Sequence, residues 1–68
     1  MIKVNLFFMK DSSDMKHFLS GERVNTYFRS GLIEKDWNDN EGTALFVDET
    51  ILPRLKEVAA EYELEVAI

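Results

Sequence analysis

The chain contains no cysteine, a single histidine, three glycines and one proline. Without cysteine no disulfide can brace it, and one imidazole with no thiolate is not the donor set of a structural zinc site. Gly21, Gly31 and Gly42 lie far apart, so no glycine-rich loop is there to cradle a phosphate. No apolar run reaches the length that crosses a bilayer. The apolar stretch at residues 2–9 carries Lys3 and Asn5 and is followed by no small-residue cleavage site, so it reads as a strand and not as a signal segment. Internal repeats, low-complexity tracts and linkers are also missing. The expectation is one small α/β domain over residues 1–68, cytoplasmic, with no cofactor and no bound metal.

What is present is apolar content and acid. Hydrophobic residues make up 46% of the 68, enough for a globular core and too many for disorder. A chain this short buries only about 60% of its unfolded surface, so without disulfide or metal it depends on tight packing or self-association. The net charge of −5 is unevenly placed. Residues 1–34 hold five basic and four acidic side chains, whereas residues 35–68 hold three basic and nine acidic ones. Such an acidic half repels phosphate backbones and attracts basic protein surfaces.

Hydropathy patterning predicts most elements. Ile2, Val4, Leu6 and Phe8 alternate with Lys3, Asn5, Phe7 and Met9, the period of a strand. Asp11, Ser12, Ser13 and Asp14 are all good N-caps. Met15, Phe18 and Leu19 then fall on one face of a short helix, with Gly21 at its end. Residues 22–30 are ambiguous: Val24, Thr26 and Phe28 alternate as in a strand, while Val24, Tyr27, Phe28 and Leu32 fit a helical stripe ending at Gly31. The strand-prone residue types favour a strand. Residues 34–42 read as a polar loop, and residues 43–47 as a buried strand. Thr50 caps a helix at 51–62 with Pro53 in its first turn and a stripe of Ile51, Leu55, Val58, Ala59 and Tyr62. Leu64, Val66 and Ile68 alternate as a last strand. The order βαββαβ is that of a ferredoxin-like split βαβ sandwich of the α+β class. A helical 22–30 would instead make it βααβαβ, with a three-stranded sheet and helices on one face.

The candidate sites are few. Asp36, Asn38 and Asn40 match the first oxygen positions of a calcium loop, but Glu41 stands where glycine is required and Val47 where a bidentate acid is required. The stretch therefore reads as a polar loop. Trp37, the only tryptophan, is flanked by polar residues. Burial against the core edge is the commoner fate of such a ring, yet tryptophan is also the type most enriched at interface hot spots. A split βαβ fold leaves one sheet face bare, on which Lys3, Asn5, Phe7 and Met9 would be joined by Asn25, Tyr27 and Arg29. Aromatics on a bare sheet are how RNA-recognition domains stack bases. The basic-Gly-aromatic signature of their third strand is replaced here by Glu41, Gly42, Thr43 and Leu45, so direct RNA binding is not expected. No serine pairs with His17 as a nucleophile, since Ser12, Ser13, Ser20 and Ser30 lack an elbow-like context, and Asp48 and Glu49 precede a helix whose dipole they suit.

These readings point to a protein that is not an enzyme and acts by contact. The expected function is a small acidic protein-binding module, in its sharper form an inhibitor covering the basic, nucleic-acid-handling surface of a larger protein. The partner-binding residues would be Asp36, Trp37, Asp39 and Glu41 in one loop, with Phe7 and Tyr27 on the bare sheet. The alternative is a self-associating regulatory or structural domain that pairs through that sheet face, as a homo-oligomer.

Overall fold

The computed structural model describes residues 1–39 and 43–68. Its elements run β1 (Ile2–Phe8), α1 (Ser12–Ser20), α2 (Glu22–Arg29), β2 (Ile33–Lys35), β3 (Ala44–Val47), a 3-10 turn (Glu49–Ile51), α3 (Leu52–Glu61) and β4 (Leu64–Ala67). The four strands form one sheet in the order β2-β3-β1-β4, with every neighbouring pair antiparallel. The chain is thus a small α+β protein, with α1 over β1, α2 over β2 and α3 over β4.

Alternation in β1 decides which face is covered. Val4 and Leu6 are buried while Lys3, Asn5 and Phe7 are exposed. The register carries that division across the sheet: Val4 lies opposite Leu45, Leu6 opposite Val66, and Ile33 opposite Val47. Met15 and Phe18 from α1, Val24 from α2, and Leu55, Val58 and Ala59 from α3 close the core over these rows. The Phe18 and Tyr62 rings meet edge to face with centroids 5.8 Å apart, joining α1 to the end of α3. Among the described residues the other face carries no helix. Paired rows there read Glu34–Phe46–Lys3, Ala44–Asn5–Ala67 and Phe7–Glu65.

Residues 22–30 are not a strand. Strand-prone residue types lose to amphipathicity here: Val24 is buried, Tyr27 and Phe28 are partly buried, and Arg23, Asn25, Thr26 and Arg29 face out, which is a helical stripe. The helix ends in a Schellman motif. Gly31 adopts φ +79°, its N–H donates to the Phe28 carbonyl at 3.2 Å, and Leu32 N–H donates to the Tyr27 carbonyl at 3.0 Å. The expected loop at 34–42 gives way at its start to β2, whose Ile33, Glu34 and Lys35 pair with Val47, Phe46 and Leu45. This fourth strand also corrects the three-stranded alternative. Thr50 does not cap the last helix. Asp48 caps the 3-10 turn that precedes α3, accepting from Thr50 N–H at 2.9 Å and from the Thr50 hydroxyl at 2.6 Å, and α3 itself starts after Ile51 with no side-chain cap. No helix among the described residues is long and apolar enough to cross a membrane.

Candidate functional site

The sheet's edge strand β2 leads straight into Trp37, and the turn that follows it is tied down from three sides. Asp36 N–H donates to the Ala44 carbonyl at 3.3 Å, extending the β2–β3 ladder by one rung. The Asp36 carboxylate then works in two directions. Oδ1 accepts from Asn38 N–H at 3.0 Å, an Asx turn, and Oδ2 lies 3.1 Å from Lys3 Nζ on β1. Asp39 N–H returns to the Asp36 carbonyl at 3.1 Å. Asp39 Oδ2 finally accepts from both Thr43 N–H and Ala44 N–H, each at 2.8 Å. Ala44 lies on the helix-free face yet is only 4% exposed.

Two site expectations change accordingly. Asp36, expected among the partner-binding residues of a polar loop, is instead buried and ion-paired to Lys3. Asp39 is half-buried, and its carboxylate closes the loop. Short acids beside free backbone N–H groups satisfy those groups before they face solvent. Glu41, with Asn40 and Gly42, lies outside the described residues. Of the exposed acids of the second half, Glu49 lies in the 3-10 turn, Glu57 and Glu61 on α3, Glu63 between α3 and β4, and Glu65 on β4, the edge strand opposite β2.

Trp37 emerges from this tied turn 87% exposed, so the core-edge reading of it falls away. Lys35 Nζ stands 6.0 Å from its ring centroid, at the outer limit of a cation–π contact. Beside the ring a cleft of about 690 Å³ runs between β2 and the helices, lined by Leu19, Asn25, Phe28, Ile33, Glu34, Lys35 and Trp37. Phe7 stands on the helix-free face as expected, 54% exposed. Asn25, Tyr27 and Arg29 do not join it, since they belong to α2. Tyr27 packs partly against the core and lines a groove between α2 and α3 with Arg23, Thr26 and Arg54. Trp37 and Phe7 are therefore on separate surfaces.

Lys3, Lys35, Leu19 and Phe28 were not foreseen as parts of this site. The Asp36-x-Asn38-Asp39 spacing is a turn signature that could have exposed the tie-down, but nothing in linear spacing brings Lys3 to Asp36. Two carboxyls are held below their usual range. Asp11 is lowered by the Ser13 N–H and then the Ser13 hydroxyl, and Asp48 by the Thr50 hydroxyl and then the Thr50 N–H. Both are helix or turn caps and lie away from Trp37. No group of His, Asp and Glu suited to hold a metal occurs among the described residues. No family model, curated protein or solved structure matches the chain, so the site stands on its geometry.

Proposed function

We propose that this protein is a small acidic protein-binding module that acts by contact and not by turnover, with Trp37 as its anchor. The observation that carries this reading is a tryptophan 87% exposed on a turn that backbone and ion-pair contacts hold in place. An exposed indole on a mobile loop would lose much of its contact energy to ordering, whereas a tied one does not. The acidic α3–β4 side supports a basic partner surface and fast, salt-sensitive encounter. A basic surface that handles nucleic acid is the target class this charge favours, which would make the chain an inhibitor of it. The strand order, with β1 between β3 and β4, supports a ferredoxin-like split βαβ sandwich whose first crossover is a pair of helices. A cytoplasmic setting fits the lack of cysteine.

Immobilised wild-type protein and its Trp37→Ala variant, each passed over lysate of the source organism, test this. Basic proteins retained by the first and lost by the second are the expected result. Identical retention on both columns would overturn the anchor. A second reading, self-association through the helix-free face, is favoured by one observation: Phe7 stands 54% exposed there. Size-exclusion chromatography of wild type and Phe7→Ser over a range of concentrations decides between the two.

A further inference from the structure

The free edge of β2 runs alongside the Trp37 cleft, and the two together describe what the partner must be. Asp48 N–H donates to the Leu32 carbonyl at 2.9 Å, and Asp36 N–H donates to that of Ala44 at 3.3 Å. Even-numbered residues of β2 therefore turn their backbone groups toward β3. The amides and carbonyls of Ile33 and Lys35 point away from the sheet, since antiparallel pairing alternates residue by residue. Among the described residues no strand lies beyond them, because β2 ends the order β2-β3-β1-β4.

The two faces of this edge differ in chemistry. On the helix side the cleft continues past Ile33 to Leu19, Phe28 and the Trp37 ring, an apolar strip edged by Asn25 and Lys35. On the helix-free side the edge presents Glu34, exposed and in no ion pair among the described residues. The nearest cation along its row, Lys3, is already committed to Asp36. An added strand would therefore meet Ile33 and the apolar strip, with Lys35 at its end beside Trp37, on one face and the carboxylate of Glu34 on the other.

Resting on the reading of Trp37 as an anchor, we infer that the partner supplies an extended segment of alternating apolar and basic residues that adds as a fifth strand to β2. Its backbone pairs with Ile33 and Lys35, its apolar side chains enter the Leu19–Phe28–Trp37 cleft, and a Lys or Arg lies across from Glu34. Main-chain bonds give such strand addition its affinity, and alternate side chains its specificity. Opposite charges directly across a strand pair attract, and like charges repel.

The test uses a short capped peptide of alternating valine and lysine, its valine–glutamate counterpart, and a version N-methylated at alternate amides. Trp37, as the sole tryptophan, reports binding by its emission, and amide hydrogen exchange reports pairing residue by residue. The lysine peptide should shift Trp37 emission to the blue, slow exchange at Ile33 and Lys35 by about ten-fold, and lose both effects on N-methylation. Glu34→Lys, on an exposed edge, keeps the fold by circular dichroism and should reverse the peptide preference by about five-fold or more. A blue shift with unchanged exchange at Ile33 and Lys35 overturns strand addition and leaves the anchor standing. Protection at Leu64 and Val66 instead places the strand on β4 and overturns the proposal. Absence of saturable binding up to millimolar peptide also overturns it, while a partner retained through Trp37 in the lysate experiment would still support the broader function. Concentration-dependent protection of Ile33 and Lys35 without peptide would show a second copy on the edge, which overturns a foreign strand.

Discussion

Lys3 Nζ lies 3.1 Å from Asp36 Oδ2, and this ion pair joins the central strand β1 to the turn that carries Trp37, across the intervening strand β3. The two ends differ in exposure: the lysine side chain is 55% exposed and the aspartate 7%. Ala44 lies between them on the helix-free face, and its small side chain leaves room for the pair to close over it. Asp36→Ala should cost about 1–3 kcal/mol, since it removes the carboxylate and leaves the Asn38 N–H unanswered. Lys3→Ala should cost under about 1 kcal/mol, because its half-exposed ammonium can be replaced by water. Urea denaturation measures both, and Trp37 fluorescence anisotropy should fall in each variant as the turn loosens.

Asp39 is a loop closer and not a steering charge. Removing its Oδ2 strands the Thr43 and Ala44 amides, so Asp39→Ala should lose about 1–3 kcal/mol of stability. Asp39→Asn keeps one acceptor oxygen and should lose less. Equal losses in the two variants, read from denaturation midpoints, would show that the charge matters more than the hydrogen bonds.

Trp37 itself should matter little for folding. A side chain 87% exposed has little burial to lose, so Trp37→Ala should change stability by less than about 0.5 kcal/mol. Against a bound partner the same variant should speed dissociation and cost about 2–4 kcal/mol of affinity. Wild-type emission should lie at the long wavelength of a hydrated indole and be quenched freely by acrylamide. A blue, protected emission in the free protein would contradict the exposed ring.

Gly31 enforces the boundary between α2 and β2. At φ +79° with nothing within 4 Å of an added Cβ, Gly31→Ala meets no clash, and its cost is conformational. That cost should be about 1–2 kcal/mol, with Gly31→Asn intermediate because asparagine tolerates the left-handed region. Thermal unfolding of the three proteins ranks them. Equal stability would mean the turn relaxes away from this geometry.

Acid should destabilise the protein through its caps. Asp11 and Asp48 have folded pKa values below the ordinary 3.8, so the native state favours their carboxylates more than the unfolded chain does. The stabilisation is complete above that value and declines as pH falls through the lowered folded values. Asp11→Asn and Asp48→Asn keep an acceptor for the same N–H groups without titrating. Their urea midpoints should therefore drop less than wild type between about pH 5 and about pH 2.5.

Patterning alone determined β1, α1, β3, α3 and β4 to within a residue or two. Each of them carries its period in its own residues: Val4 and Leu6 in alternation, or Leu55, Val58 and Ala59 at helical spacing. It also determined that Lys3, Asn5 and Phe7 would share the face of β1 opposite Val4 and Leu6, because a period of two leaves them nowhere else to point.

Only the tertiary structure decided α2 and β2. Val24 and Phe28 satisfy both periods in so short a window, and the choice fell to whichever arrangement buried them with their neighbours. Ile33–Lys35 is three residues long and becomes a strand only because β3 offers it a partner. The same holds for the candidate site. Whether Asp36 faces water or Lys3 depends on which strand lies across the sheet from β2, a fact of register between segments 33 residues apart in the chain. The exposure of Trp37 follows from that register, since the contacts that hold its turn are made to β1 and β3 and not to its neighbours in sequence alone.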